Sequence, residues 1–78
     1  MIYERVGENI KWKRRRKGMT QKDLAEKCKC TASQISGIEK GVKRINLEYL
    51  ERIAVALECD VYELVDVHET RYTRGERR

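Results

Sequence analysis

Apolar side chains recur along the chain at intervals of three and four residues, which is the period of an α-helix with one buried face. Near the start of the sequence, Ile2, Val6 and Ile10 follow one another at every fourth position. Further along, a second set keeps helical spacing: Leu47, Leu50, Ile53, Ala54 and Leu57. The chain contains no proline that would interrupt such segments. The pattern therefore predicts an all-α protein.

Polar residues divide this pattern into short helices. Four of them stand where a side chain commonly caps a helix N-terminus: Thr20, Thr31, Asn46 and Asp60. Asp23 and Gln34 follow the two threonines by three positions, which is the spacing of a capping box. Together with the segment that begins near Ile2, these signals predict five helices.

Two glycines and one short turn mark where the helices end. Gly18 and Gly41 follow the first and third helices, at positions that favour a residue able to adopt the left-handed conformation. Only Lys29 and Cys30 separate the second helix from the third. Two short helices joined so tightly must cross steeply, which is the geometry of a helix-turn-helix.

Length and composition limit the function classes. A chain of 78 residues has a small core and no room for a cleft between two domains. We expect one domain over residues 1–66 and a polar, basic C-terminal tail over 67–78. The single histidine, His68, falls in that tail, and no nucleophile–base pair is evident, so we predict no enzymatic activity and no small-molecule substrate. The sequence lacks a membrane-spanning run and a signal peptide, so we expect a cytoplasmic protein without a membrane partner.

The net charge of +5 is unevenly distributed. Residues 1–45 hold 13 basic and 5 acidic side chains, which gives a net charge of +8. Residues 46–69 have a net charge of −6 and residues 70–78 one of +3. A strongly basic region suits a polyanion, and nucleic acid is the first candidate. An anionic membrane surface fits less well, because it would require bulky apolar residues on the opposite face.

The three cysteines, Cys28, Cys30 and Cys59, do not form an evident site. Their odd number argues against a disulfide framework. Cys28 and Cys30 resemble half of a metal site, but Cys59 and His68 do not supply the second close pair of a structural zinc site. We interpret all three as small apolar core residues, with a metal or redox role as the alternative. We therefore predict no metal and no cofactor.

Three segments point to a known family: TQKDLA at 20–25, ISGIEKG at 35–41 and LERIAVAL at 50–57. They resemble the Xre-type helix-turn-helix family of lambda-repressor-like and Cro-like regulators. The resemblance spans about residues 6–65 and implies a compact five-helix lambda-repressor-like domain, with its helix-turn-helix at about 20–40. It also implies a transcriptional regulator that binds double-stranded DNA sequence-specifically, as a dimer on a palindromic operator. Phage-type repressors and restriction–modification controller proteins are members of comparable size.

The resemblance assigns roles to individual residues. In the lambda-repressor-like family, the counterparts of Ala32, Ser33 and Gly37 approach bases in the major groove. The counterpart of Gln21 braces either the phosphate backbone or the reading helix.

The helical wheel of the third helix adds further candidates. If Ile35 and Ile38 face the core, four residues face outward: Ser33, Ser36, Gly37 and Lys40. Thr31 caps this helix at an end where free N–H groups favour a phosphate oxygen. Three cations at and beyond the other end are expected to neutralise phosphates: Lys40, Lys43 and Arg44. Lys43 or Arg44 could instead reach a guanine edge.

The resemblance further implies an ion pair between Arg14 and Glu39, which would tie the first helix to the third. The sequence departs from the family pattern at Lys29, where glycine is usual, and at Lys13, where an aliphatic residue is usual. Lys13 can pack its stem and extend its ammonium to solvent, or Trp12 can cover the gap.

A second copy or another protein is the remaining expected partner. The acidic segment 46–69 could hold a homodimer interface, with four candidate apolar contacts: Tyr49, Tyr62, Val65 and Val67. The basic residues 70–78 could fold over the acidic segment of the same chain or of a partner, or reach DNA, and the sequence favours neither. The alternative function is an antitoxin or other protein-interaction module with secondary DNA binding.

Overall fold

The computed structural model describes residues 2–65, which form five α-helices joined by short connections. They are α1 (Ile2–Arg16), α2 (Gln21–Cys28), α3 (Ala32–Lys40), α4 (Leu47–Ala56) and α5 (Val61–Val65). This part of the chain contains no strand, so the predicted all-α, five-helix architecture is confirmed. The predicted tail 67–78, with His68 and Val67, lies outside the described residues. None of the helices in the described range has the length and apolar character required to cross a membrane.

Helices α2, α3 and α4 begin where the sequence predicts. The Thr20 hydroxyl accepts a hydrogen bond from the Asp23 N–H at 3.0 Å, and the Asp23 carboxylate accepts one from the Thr20 N–H at 2.9 Å. Thr31 and Gln34 form the same reciprocal pair at 3.1 and 3.0 Å. Asn46 Oδ1 accepts from the N–H three residues later at 2.8 Å. Each cap satisfies donors that lack a partner inside the helix, so these boundaries follow from local sequence.

Left-handed residues follow α1, α2 and α3. Gly18 and Gly41 have φ angles of 71° and 78°, as predicted from their positions. Lys29 caps the C-terminus of α2 with a φ of 60°, and its N–H donates to the carbonyls of Ala25 and Glu26. A side chain in this conformation costs roughly 1–2 kcal/mol, which a glycine would avoid. The turn is therefore tight but strained at Lys29.

One apolar core is shared by all five helices. Its buried members are Val6, Ile10, Leu24, Ala25, Cys28, Ile35, Ile38, Leu50, Ile53, Ala54, Leu57 and Leu64. Helix α1 packs against α3 and α5, α2 packs against α3 and α4, and α4 packs against α5. Leu47 does not join the core, contrary to its predicted place on the inner face, and is 65% exposed at the first position of α4. The remaining face of α3, which contacts neither α1 nor α2, is left outward.

Helices α1 and α3 are in close backbone contact at Gly7. A Cβ atom at this position would lie 2.6 Å from the Glu39 carbonyl oxygen and would also overlap the carbonyl oxygen of Ile38. The neighbouring atoms belong to the backbone and cannot rotate away. Gly7 therefore allows α1 to rest directly on the second half of α3.

Polar contacts join α1 to α5. The Lys13 ammonium lies 2.7 Å from a Glu63 carboxylate oxygen, and the buried Asn9 amide donates to the Leu64 carbonyl at 2.8 Å. The hydrogen bond from Lys13 lowers the pKa of Glu63 below its ordinary value. Lys13 is half-buried, whereas Trp12 is 64% exposed and does not cover the gap. Neither predicted arrangement of Lys13 is found in full, because the ammonium pairs with Glu63 rather than extending to solvent.

The cysteines lie in or beside the core. Cys28 is buried, whereas Cys30 and Cys59 are half-buried and pack against the core. Burial raises the pKa of all three thiols, and that of Cys28 reaches about 11. Among residues 2–65, no group of three or more histidine, cysteine or acidic side chains could hold a metal ion. The described part of the chain thus provides no set of ligands for a metal.

Candidate nucleic-acid interface

The outward face of α3 has the composition that the helical wheel predicts. Ile35 and Ile38 are buried in the core, whereas Ser33 and Lys40 are exposed. Ala32 and Ser36 are half-buried at the two borders of this face. The face therefore combines the small side chains of Ala32, Ser33 and Ser36 with the long cationic side chain of Lys40.

Gly37 is an exception, because it lies on this face and is nevertheless buried. A Cβ atom at Gly37 would lie 2.8 Å from Cγ, 3.0 Å from Cδ and 3.3 Å from Cε of Lys43. The aliphatic part of the Lys43 side chain thus covers the glycine. Gly37 is on the predicted face but is not exposed to solvent, because the chain doubles back after α3 and lays Lys43 over it.

The segment after α3 is held against the helix by its backbone. The N–H groups of Val42 and Lys43 both donate to the Gly37 carbonyl, at 3.1 and 3.3 Å. A Cβ atom on the left-handed Gly41 would lie 2.6 Å from Cγ of Glu4, so the reversal also packs tightly against α1. The returning segment is consequently fixed to both α1 and α3.

Arg44 is exposed and also contacts α1. Its guanidinium carbon lies 6.0 Å from the centre of the Tyr3 ring, at the outer limit of a cation–π contact. Such a contact orients the side chain while leaving its hydrogen-bond donors available. Lys40, Lys43 and Arg44 are all exposed at the C-terminal side of α3, where their charges can reach one phosphate backbone.

Thr31 caps the N-terminus of α3 with its side chain. Its hydroxyl accepts from the Gln34 N–H and also lies 3.3 Å from Oε1 of Gln34, so both of its hydrogen-bonding roles are directed to the same residue. The unpaired N–H groups of the first helical turn remain the natural donors for an anion. The structure thus places Thr31 where it was predicted and gives it a capping role.

A buried ion pair fixes the other end of α3. Glu39 accepts two hydrogen bonds from the Arg14 guanidinium, at 2.6 and 3.1 Å, and the two side chains are only 3% and 8% exposed, respectively. Arg14 donates a further hydrogen bond to the Met19 carbonyl at 2.7 Å. The predicted ion pair is therefore present, and because it is buried, removal of one partner would leave the other charge uncompensated away from water.

Gln21 completes this arrangement. Its side-chain amide donates to Glu39 Oε1 at 2.9 Å, so the start of α2 is tied to the end of α3. Of its two predicted roles, bracing the reading helix is the one with a visible contact. One carboxylate consequently joins α1, α2 and α3.

The sequence analysis did not identify two residues of α1 that position this surface, Gly7 and Tyr3. It also did not predict that Gly41 contacts α1. Gly7 had a detectable signal, because a glycine inside a helix costs about 1 kcal/mol relative to alanine and needs a packing reason. Tyr3 had none, since its partner Arg44 is distant in sequence.

The chain is similar in sequence to known helix-turn-helix proteins. The model of the helix-turn-helix family matches residues 10–64 of the chain. The HTH-type transcriptional regulator SinR of Bacillus subtilis (strain 168) is 35% identical over 69 residues, which are 86% of this chain and 62% of SinR. The chain thus spans about three-fifths of the length of that relative.

Solved structures share the architecture. A structure of the master regulator for biofilm formation SinR in complex with DNA superposes with a TM-score of 0.74 at 32% identity, covering 78% of this chain and 98% of the SinR chain in that structure. The restriction-modification controller protein C.AhdI from Aeromonas hydrophila superposes with a TM-score of 0.77 at 27% identity, covering 80% of this chain and 90% of C.AhdI.

Proposed function

Because the chain belongs to the Xre-type helix-turn-helix family, we propose that it regulates transcription by binding double-stranded DNA sequence-specifically, with α3 in the major groove. One observation carries the proposal: the outward face of α3 has small side chains and is bordered by Lys40, Lys43 and Arg44. SinR, which is similar in fold, has been solved in complex with DNA, and this supports DNA binding by the chain.

The individual contacts follow from this docking. Ser33 and Ser36 face base edges, and Ala32 is suited to a thymine methyl group. The N–H groups beyond the Thr31 cap donate to a phosphate oxygen at one end of α3. Lys40 and Arg44 neutralise phosphates at the other end.

We further propose that two copies bind a palindromic operator. Single modules bury little surface on DNA, and two-fold dimers that read half-sites one helical turn apart are the usual solution. The α4–α5 side carries five exposed acidic residues that would repel DNA: Glu48, Glu51, Glu58, Asp60 and Glu63. It also exposes three large apolar side chains, with Tyr62 at 83%, Val55 at 77% and Leu47 at 65%. Tyr49 and Val65 are half-buried against the core and leave less surface for a partner.

Selection of bound sequences from random duplexes tests the DNA-binding proposal. A palindromic consensus with affinity that falls steeply with salt is expected, at about 0.9 decades per decade of salt for each phosphate contacted. Absence of any enriched sequence, together with a tight protein partner, would instead support the protein-interaction alternative.

Sedimentation equilibrium tests the dimer. Tyr62→Ala should shift the population towards monomer and reduce binding to a full palindrome more than to a half-site. Trp12→Ala is the matched control, because Trp12 is an aromatic side chain that is 64% exposed on α1 and belongs to neither α4 nor α5. Equal effects of the two substitutions would argue against an interface at Tyr62.

A further inference from the structure

We propose that Lys43 reads a guanine base at one symmetric pair of operator positions, and that Gly37 directs it there. The inference rests on the proposed DNA-binding function and assigns part of its specificity. It departs from the simpler expectation that a lysine after the reading helix neutralises a phosphate.

The position of the Lys43 side chain is the first argument. Gly37 lies one helical turn beyond Ser33, on the same outward face of α3. Since Cγ, Cδ and Cε of Lys43 lie successively 2.8, 3.0 and 3.3 Å from where a Cβ atom of Gly37 would be, the stem crosses that face. The ammonium, one bond beyond Cε, is therefore carried by the surface that would enter the groove. Lys43 functions as a side chain of the reading helix, although it lies outside α3.

The rigidity of the connection is the second argument. The Lys43 N–H and the Val42 N–H share the Gly37 carbonyl as acceptor, so the lysine is anchored to the residue that its stem covers. On one side the left-handed Gly41 packs on Glu4, and on the other Arg44 lies over Tyr3. A side chain held in this way loses less conformational entropy on binding than a free surface lysine.

The chemistry of the ammonium selects the base. A lysine has three donors and no acceptor. In the major groove, guanine presents two adjacent acceptors, N7 and O6, whereas adenine places a donor beside its N7 acceptor. Guanine is therefore the base that an ammonium over this face would favour. Ser33 and Ser36, which can donate or accept, leave the choice at their own positions more open.

Gly37 is required because any side chain would occupy the path of the stem. An alanine would place Cβ within 2.8 Å of Lys43 Cγ and would displace the lysine from the face. The preference for guanine is then a property of two residues together. This coupling distinguishes a base-reading lysine from one that contacts a phosphate.

The experiment uses the selected operator and duplexes in which each symmetric position is changed to the other three bases. Wild-type protein should prefer guanine at one symmetric pair by on the order of tenfold. Lys43→Ala and Gly37→Ala should each abolish the preference there and leave preferences elsewhere intact. The double variant should resemble either single variant. Lys40→Ala is the matched control, and it should weaken binding to all duplexes equally and reduce the salt slope by about one.

Four outcomes bear on this proposal. If Lys43→Ala weakens binding to every duplex equally and the guanine preference is retained, Lys43 contacts a phosphate. The inference is then overturned, whereas the proposed function stands. If Gly37→Ala and Lys43→Ala have additive effects, the coupling is refuted. If Gly37→Ala does not fold, as judged by circular dichroism, Lys43→Ala and Lys43→Gln still decide the base preference. Failure to select any operator would contradict the proposed function itself.

Discussion

Arg14 and Glu39 form a buried, two-point ion pair that joins the last turn of α1 to the last turn of α3. Gln21, at the start of α2, donates to the same carboxylate. The Glu39 carboxylate therefore links α1, α2 and α3, in addition to the apolar packing of the reading helix. Removing it would leave the guanidinium buried without its counter-charge, which is far more costly than losing a surface pair.

Glu39→Gln should lower the free energy of unfolding by about 3–5 kcal/mol, because it leaves a buried cation unpaired. Urea denaturation followed by circular dichroism measures the change, and complete loss of the cooperative transition would also agree. Glu51→Gln is the control, since Glu51 is exposed on α4 and its loss should change the free energy by no more than about 0.5 kcal/mol. Similar values for the two variants would show that the buried pair contributes little.

Gly7→Ala should destabilise the domain by about 3 kcal/mol, at the upper end of the range for overpacking, because the new Cβ atom meets backbone atoms of α3. Gly18→Ala provides a comparison, since nothing lies within 4 Å of its Cβ position and only its φ of 71° is unfavourable. That strain should cost roughly 1–2 kcal/mol. Thermal unfolding measures the loss of stability in both variants. A larger loss in Gly18→Ala than in Gly7→Ala would contradict the close packing of α1 on α3.

Lys29→Gly should raise the free energy of unfolding by about 1 kcal/mol, because glycine adopts the left-handed C-cap of α2 without strain. Lys27→Gly removes the same charge from within α2 and should instead lower the free energy by about 1 kcal/mol. Opposite shifts in the urea midpoint would confirm the backbone explanation. A stabilisation of both variants would point to relief of charge repulsion.

Cys28 should react with iodoacetamide more slowly than Cys30 or Cys59 in the folded protein. Burial raises the pKa of its thiol from 9.0 to about 11, and the thiolate is the reactive form. Mass spectrometry of peptides at pH 8 measures the rates, with protein in urea as the control in which all three cysteines should react alike. Equal rates in the folded protein would contradict the burial of Cys28.

The same shift has a consequence for stability. The folded state favours the protonated Cys28 thiol, because burial raises its pKa from 9.0 to about 11. The contribution of this thiol to the free energy of unfolding is therefore fully present below pH 9 and is lost as the pH rises towards about 11. Between pH 8 and pH 11, Cys28→Ala should therefore lose less stability than the wild type. Urea denaturation midpoints measured across this pH range test the difference.

Ser33→Ala should alter base preference at one symmetric pair of operator positions and leave stability within about 0.5 kcal/mol of wild type. Ser33 is exposed on the outward face of α3, so its hydroxyl has no packing role. Binding to duplexes changed at single positions measures the preference. A uniform loss of affinity, with preferences unchanged, would indicate a phosphate contact.

Local chemistry allowed much of the fold to be predicted from sequence. The caps at Thr20, Thr31 and Asn46 and the stops at Gly18 and Gly41 involve residues a few positions apart, so their spacing alone specifies the helix boundaries. The helical period likewise identified most of the core, with Leu47 as an exception at a helix end. The family resemblance contributed the ion pair of Arg14 with Glu39.

The remaining features depend on residues brought together only when the helices pack. The close contact of Gly7 with α3, the pairing of Lys13 with Glu63 and the cover of Lys43 over Gly37 have no signature in spacing. The sequence by itself determined where the helices lie and which side of α3 faces outward, because caps and periodicity act within a few residues. Only the tertiary structure decided which side chains form that surface, because Lys43 reaches α3 through a reversal of the chain that helical periodicity does not describe.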